Sequence, residues 1–560
     1  MVQIKGYLRR KLRRPKLPSY PKIRMREPKL LVVLPAFRDP EKTDVRYPLL
    51  EPFAYARVKW NDKKKSVEYR VEEPELAPDE KEMLEKIEST LKEVIDVKIT
   101  VMEKDKATSY LQEKVKQVME ETGMDVPVSK FIKIMYFLIR DFVGLNEIEP
   151  IMHDPYIEDL GCPGLNVPVY LVHRKYGSME TSVEFKDVDY LNNFVIKLSE
   201  RCGRYISYAK PLLGGTLPDG SRVQATLAKD VTTKGPTFSI RKFRKNPYSP
   251  VDMLGLGTVS TELLSYLWFL VEHSASFLVC GGVASGKTTF LNTLSMFIPP
   301  EDKVVSIEDV REINIPHENW IPATARTGFG VPEAGGRRYG EVTLFDLLKE
   351  SFRMKPDYTI VGEVRGKEAY VMFQGMASGN PSMGTIHAGS VEDVIKRLQT
   401  PPIELSPSLI EALDALIVMS NAKEKGKSAR RVKEIVEIQS IDPHTSKALG
   451  TKTFMWIPST DEFKDNTVES QLLHKISFER GISFPEIRKQ LEKRKKVLDW
   501  MKRHNIIQYD EVSKLINLYY KDEETIMEWV QRDLPPYQTK TKEAVSKMWE
   551  ESATGLRIIK

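Results

Sequence analysis

Apolar residues recur at helical spacing in two N-terminal stretches. Leu84, Ile87, Leu91 and Val94 follow Pro74 and Pro78, and Ile132, Met135, Leu138 and Ile139 share one face of 129–143. From Ile151 the pattern shortens. Alternating or continuously apolar runs at Val167–Arg174, Val183–Phe185 and Thr237–Phe243 predict strands, with a helix over Asn192–Arg201. Leu217-Pro218-Asp219-Gly220-Ser221-Arg222-Val223 predicts a turn entering a strand, and 245–250 a linker. A helix at Thr261–His273 then precedes strands at Phe277–Cys280, Val304–Ile307, Tyr358–Val361 and Leu416–Met419, with helical patterns between them. Strands alternating with helices predict a parallel α/β sheet. The last hundred residues turn helical and charged, with Ile487, Leu491, Leu498 and Met501 on one face. Asp79 with Glu82, and Ser483 with Glu486, have the spacing of capping boxes.

Composition narrows the class. With 41% hydrophobic and 29% charged residues over 560 positions, the chain can fill several cores and is not disordered throughout. No apolar run approaches the roughly 20 residues of a spanning helix. Cys162, Cys202 and Cys280 are odd in number and far apart, so neither a disulfide framework nor a zinc site is expected. Residues 1–30 carry eleven basic residues and one acid against a net charge of only +6 for the whole chain, so the excess is a tail. Pro15, Pro18 and Pro21 break that tail where a signal peptide needs an apolar stretch, and a short strand is expected after it at Leu30–Phe37. Anionic lipid, nucleic acid and an acidic partner all suit such an arm, as does plain solvation.

The chemistry concentrates at Gly281-Gly282-Val283-Ala284-Ser285-Gly286-Lys287-Thr288, which fits the P-loop pattern without a mismatch. An apolar strand precedes it, and a helix can open at Thr289. Backbone N–H groups in such a loop face phosphates, Lys287 would bridge the β- and γ-phosphates of ATP, and the Thr288 hydroxyl would ligate Mg²⁺. Hydrolysis also needs carboxylates at strand ends. Glu308, Asp309 and Glu312 follow one strand and Glu363 ends another; one acid can hold Mg²⁺ through water while another orients the attacking water. His387, in Met383-Gly384-Thr385-Ile386-His387-Ala388-Gly389, reads as structural when taken alone.

Taken in order, the P-loop, the Ile307-Glu308-Asp309 box ending at Glu312, Lys355-Pro356-Asp357 leading to Gly362-Glu363-Val364-Arg365, and Thr385-Ile386-His387 resemble the type II/IV secretion ATPase superfamily. The resemblance runs from about Pro155 to Asp442 and includes Phe238-Ser239-Ile240-Arg241-Lys242-Phe243. It implies a RecA-like core, with Glu312 as catalytic glutamate, Glu363 as the Walker B acid near Mg²⁺ and His387 as the His box. It also implies that Arg222 and Arg241 are directed at nucleotide phosphates. Arg311, Arg326, Arg337, Arg338 and Arg365 are further candidates.

The bacterial tetracysteine module is absent. Tyr47-Pro48-Leu49, Glu51-Pro52-Phe53-Ala54-Tyr55 and the region near 480–530 resemble the archaeal branch, and the archaellum motor ATPase more than the pilus-assembly or secretion ATPases. That branch implies a homo-hexameric ring at the inner face of the cell membrane, docked on a polytopic platform protein beside other motor components. A DNA-translocating motor and a nucleotide sensor without turnover are the rival readings. The expected layout is a basic arm (1–60), a mainly helical unit (61–150), a small α/β domain (151–244), the linker, a RecA-like α/β core (251–450) and a helical extension (451–560).

Overall fold

A computed structural model describes residues 20–28, 34–35, 39–95, 102–243, 247–326, 328, 338–424, 427–442, 445 and 447–536. Most of the basic arm, most of the expected strand at Leu30–Phe37, Arg337 and part of the linker lie outside them. The chain divides into two compact units, Met1–Arg244 and Lys245–Lys560.

The first unit is built on one nine-stranded sheet, ordered β1-β2-β3-β6-β5-β4-β9-β8-β7. Its strands are β1 (Asp44–Leu50), β2 (Ala54–Asn61), β3 (Ser66–Glu72), β4 (Ile157–Cys162), β5 (Pro168–His173), β6 (Gly177–Glu184), β7 (Leu212–Thr216), β8 (Arg222–Thr226) and β9 (Thr237–Arg241). Neighbours are antiparallel except β3 and β6. The expectation of a mainly helical 61–150 misses β3. Alternation at Val67, Tyr69 and Val71 makes it a strand, and its pairing with β6 joins the β1–β3 meander to the later strands in one sheet. The helices Pro78–Val94, Lys104–Thr122 and Val128–Leu138 follow β3 and share a separate core around Leu91, Leu111, Val115 and Phe131.

Neither capping box forms as the spacing suggests. Glu80 rather than Glu82 reaches back, accepting from the Ala77 N–H at 2.9 Å, while Asp79 pairs with Lys130 and Glu82 with Lys86. Pro78 is itself the first helical residue, so Ala77 rather than Asp79 is the N-cap and the helix starts two residues earlier than the spacing suggests. Ser483 does occupy the N-cap of Phe484–Arg503, but its side chain makes no capping bond.

The second unit carries a nine-stranded sheet ordered β12-β11-β13-β14-β10-β15-β16-β17-β18. The strands are β10 (Phe277–Gly281), β11 (Val304–Glu308), β12 (Trp320–Thr324), β13 (Tyr358–Val361), β14 (Ser382–His387), β15 (Ala415–Glu424), β16 (Lys427–Ile441), β17 (Ala448–Ile457) and β18 (Glu462–Asp465). From β12 to β15 all pairs are parallel; β16, β17 and β18 continue antiparallel. Every residue of β10, β11 and β13 is buried, as helices on both faces of a parallel sheet require. The order β11-β13-β14-β10-β15 is that of a RecA-like core, with β14 inserted between the P-loop strand β10 and β13, the strand that Glu363 follows. The expected helical extension from 451 begins later, because β17 and β18 first extend the sheet.

The C-terminal helices Gln471–Arg480, Phe484–Arg503, Tyr509–Lys521 and Glu523–Gln531 then pack over the helix Thr261–Glu272 and share its hydrophobic core. Leu267, Trp268, Leu498, Trp500, Leu515 and Ile516 are fully buried there. Polar bonds fix the contact: Thr261 Oγ1 donates to Asp499 at 2.8 Å and Trp268 Nε1 to the Tyr520 hydroxyl at 2.9 Å. Glu437 of β16, 1% exposed, anchors the first of these helices. Its carboxylate accepts from the Tyr266 hydroxyl, Ser470 Oγ (2.5 Å), Gln471 N (2.7 Å) and Leu472 N (3.2 Å). A carboxylate at a helix N-terminus is favoured by the orphan N–H groups and the dipole. Glu437→Gln is expected to cost about 2 kcal/mol, the scale of hydrogen bonds to a charged acceptor, seen as a lower urea midpoint for the second unit.

Candidate nucleotide site

β10 ends at Gly281, the loop follows, and the helix Lys287–Ser295 starts with the lysine. The backbone makes glycine necessary at two places. A Cβ on Gly281 would lie 2.5 Å from Ser285 Oγ and 2.6 Å from the Met419 carbonyl oxygen, and Gly286 sits at φ +89°. Lys287, 6% exposed, folds back over the loop. Its ammonium donates to the Gly281 and Gly282 carbonyls at 3.1 and 2.9 Å and to His387 Nδ1 at 3.2 Å.

Sheet order explains the last contact. β14 lies between β10 and β13, and parallel register sets His387 beside Gly281. The His387 ring therefore stands between Lys287 and Glu363, which follows β13, with Nε2 3.3 Å from the Glu363 carboxylate. A neutral ring protonated on Nε2 satisfies both neighbours. Glu363 bonds in turn to Arg365, whose guanidinium is 3.5 Å from Asp309. Burial, followed by the Lys287 charge, holds the His387 imidazole below its ordinary pKa. Burial also lowers Lys287, against the attraction of Glu363 and Glu312. For Glu363 burial pushes upward, yet Arg365, His387 and Lys287 together outweigh it and hold the carboxyl below its usual range.

Two other acids shape loops. Glu308, buried at the end of β11, accepts the N–H groups of Glu312 and Ile313 at 2.8 and 2.9 Å. Glu368 accepts those of Arg365 and Gly366 at 2.6 and 2.7 Å, which sets the turn that presents Arg365. Glu312 itself is partly buried, and its backbone is held on the P-loop helix: Asn292 Nδ2 donates to the Glu312 carbonyl at 3.1 Å. A cavity of ≈ 630 Å³ opens beside the Arg365–Asp309 pair, lined also by Thr343, Phe345 and Glu368.

Sequence reasoning missed Asn292, Glu368, Asn421 and Arg430. The last two face each other across β15 and β16. Asn421 Nδ2 donates to the Val283 carbonyl at 3.3 Å and Arg430 Nε to that of Ala284 at 3.1 Å, so a distant hairpin braces the P-loop from outside. Nothing local marks them; they lie about 140 residues from the loop they hold, and only strand pairing brings them there.

Residues 172–453, half of the chain, match the family described as type II/IV secretion system protein. The chain belongs to the type II/IV secretion ATPase family. Residues 459–535 match a second family, PilB3-like, C-terminal. Among curated relatives, an uncharacterized protein of Methanocaldococcus jannaschii is 37% identical over 392 residues, 70% of each chain. The type IV secretion system protein PtlH of Bordetella pertussis is 30% identical over 280 residues, 44% of this chain and 81% of PtlH. Among solved structures, the VirB11 ATPase of the Brucella suis type IV secretion system has 23% identity, covers 52% of this chain and 92% of its own, and gives a TM-score of 0.27. The pilus retraction motor PilT with bound ADP has 14% identity, 69% and 95% coverage, and a TM-score of 0.34.

The chain is thus an ATPase, and its donors suit the metal such enzymes use. Mg²⁺ takes hard oxygen ligands, commonly one or two from protein with phosphate and water completing the set. Thr288, in the first turn after the loop, and Glu363 would hold it there, where it would neutralise developing phosphate charge. In the secretion ATPase's first unit, Arg222 of β8 and Arg241 of β9 are direct cross-strand partners. Asp219 takes the Ser221 N–H and hydroxyl at 2.9 Å, and Ser221 Oγ accepts from Phe243 N at 3.1 Å, which locks the turn beside both arginines. Arg241 is exposed, with Asp159 3.9 Å away. Of the further arginines described, Arg365 bonds a site carboxylate, Arg311 lies 5.0 Å over the Trp320 ring, Arg326 donates to the Gly340 carbonyl at 2.8 Å, and Arg338 offers its backbone N–H to Glu341 at 2.9 Å.

The His387 environment has a measurable consequence. Its folded pKa lies below the unfolded value of about 6.5, so on acidification the unfolded chain takes up this proton first. The stability contributed by the neutral ring is full above about pH 6.5 and is lost as pH falls toward the depressed value. By NMR, the His387 Cε1–H signal is expected to titrate with a midpoint below 6.5. Glu363→Gln, which removes the carboxylate that favours the imidazolium, should lower the midpoint further; a midpoint above 6.5 contradicts this arrangement.

Proposed function

We propose that this secretion ATPase hydrolyses ATP through Lys287, Glu312 and Glu363 to drive a type IV filament or secretion machine. The observation that carries the proposal is the buried Lys287 ammonium, bonded to loop carbonyls and His387 but to no carboxylate among the described residues, at the mouth of a P-loop. A phosphate supplies the full negative charge this position lacks. Lys287 binds the β- and γ-phosphates, Glu312 orients the attacking water, and Glu363, held by Arg365 and His387, would help hold Mg²⁺. The neutral His387 ring relays the position of Glu363 to the lysine across β14.

The machine is the finer part of the proposal. The motifs resemble the archaellum motor ATPase, with assembly and rotation as its work. The PilB3-like match over residues 459–535 favours the alternative of archaeal pilus assembly, and the M. jannaschii relatives suit either. In both readings six copies form a ring at the inner membrane face against a polytopic platform protein. Among the described residues no helix is long and apolar enough to cross a membrane.

Two variant series test the chemistry. Lys287→Ala should weaken ATP binding by about tenfold or more, as loss of a charge-assisted hydrogen bond does. Glu312→Gln should keep binding and lose about 10²–10⁴ in turnover, the range for a positioned general base. Normal turnover in Glu312→Gln transfers the water-orienting role to Glu363, and tight binding without turnover in the parent protein supports the sensor reading instead. In the second series, Arg222→Ala and Arg241→Ala should each lower turnover by at least about tenfold with little loss of folding stability, because a planar guanidinium pairs with phosphate oxygens in the transition state. Parental activity in both ends the proposal that these arginines complete the phosphate site.

A further inference from the structure

The segment that carries Glu312 is held from two sides. From the P-loop helix, Asn292 spans it: Nδ2 donates to the Glu312 carbonyl at 3.1 Å, and Oδ1 accepts from Asn314 N at 2.9 Å. From the C-terminal helices, the Tyr509 hydroxyl donates to the Asn314 carbonyl at 2.5 Å. Tyr509 is 5% exposed and belongs to the stretch matched as PilB3-like, C-terminal, almost 200 residues away in sequence. Beside these anchors, Ile313 and Ile315 are buried in the core that contains Tyr509, Val512 and Ile516.

The same corner receives the chain as it enters the second unit. Ser249 Oγ donates to the Ile507 carbonyl at 3.0 Å, and Thr293 Oγ1, one residue after Asn292, donates to the Tyr248 carbonyl at 3.1 Å. Residues 507–509 therefore contact both the start of the second unit and the loop of the candidate water-orienting acid. The P-loop helix contacts those same two segments through Asn292 and Thr293.

We infer that Tyr509 is a positioning residue for hydrolysis: the C-terminal helices hold the Glu312 loop in register with the P-loop helix. The inference rests on the proposed role of Glu312. Tyr509 touches no nucleotide position. It acts by restraining the Asn314 carbonyl, and through it the direction in which Glu312 leaves the backbone. A displacement of a catalytic group by about 1 Å is enough to cost large factors in rate while leaving ground-state binding intact. Any partner that shifts the helix Tyr509–Lys521 would change turnover by the same route.

The test is Tyr509→Phe in the full chain, which removes one hydroxyl and keeps the buried ring. Steady-state ATP hydrolysis should show kcat lower by about tenfold, the scale of one lost hydrogen bond, with KM unchanged. Peptide-resolved amide exchange should quicken across residues 310–315 and stay parental in β13 and in the helix Lys287–Ser295, which separates local release from general destabilisation. Parental kcat, or unchanged exchange at 310–315, overturns the inference. A parallel Glu312→Gln variant distinguishes the two levels. If it is fully active, the role of Glu312 falls, and the positioning inference with it. If it is inactive while Tyr509→Phe is parental in rate and exchange, the positioning inference alone is wrong.

Discussion

A buried ammonium with no bonded carboxylate among the described residues is the constraint around which the second unit is arranged. Lys287 is almost fully withdrawn from water, and its direct partners are two carbonyl dipoles and a neutral imidazole. A charge in that setting is costly unless opposite charge lies close. Glu363 and Glu312 supply part of it at a distance and raise the lysine's pKa against the burial that lowers it. In the proposed role the remaining deficit suits the loop to an anion, and polyphosphate fits because the N–H groups of a P-loop characteristically face phosphates.

Sheet order converts that local requirement into a site. Because β14 is inserted between β10 and β13, Glu363 reaches Lys287 through His387 rather than directly. A direct carboxylate–lysine ion pair would neutralise the ammonium and compete with phosphate; the interposed ring holds the two at a distance while keeping them oriented. The surrounding bonds serve the same end. Glu368 sets Arg365, Glu308 and Asn292 set the Glu312 segment, and Asn421 and Arg430 brace the loop carbonyls. The C-terminal helices belong to this construction, since they share the core of the sheet's neighbouring helices and reach the Glu312 loop through Tyr509.

What could be read from the chain alone follows from the range of each interaction. The P-loop, the strand that enters it and the helix that leaves it are consecutive, so their pattern is visible in a window of about twenty residues. The fully buried strands β10, β11 and β13 declare themselves as apolar runs. Glu363 was legible as an acid at the end of an apolar strand downstream of a P-loop, whereas His387 was reachable only because the motifs resemble a family in a fixed order. The β1–β3 meander was partly hidden because β3 completes its sheet with β6, more than a hundred residues later. Asn292, Arg430 and Tyr509 were invisible because each acts on a backbone carbonyl, which leaves no trace in the residue that provides it. The two failed capping boxes teach the same lesson at short range: a proline shifted one helix start, and at the other the N-cap serine's side chain makes no capping bond.

The account stands on Lys287 being the ligand for the phosphates of ATP, and a crystal structure of the full chain with a non-hydrolysable ATP analogue and Mg²⁺ examines that directly. The account predicts that the Lys287 ammonium leaves the Gly281 and Gly282 carbonyls and lies about 2.7–2.9 Å from β- and γ-phosphate oxygens, with the His387–Glu363 contact retained. Nucleotide bound elsewhere, with Lys287 still on its own loop carbonyls, would contradict it.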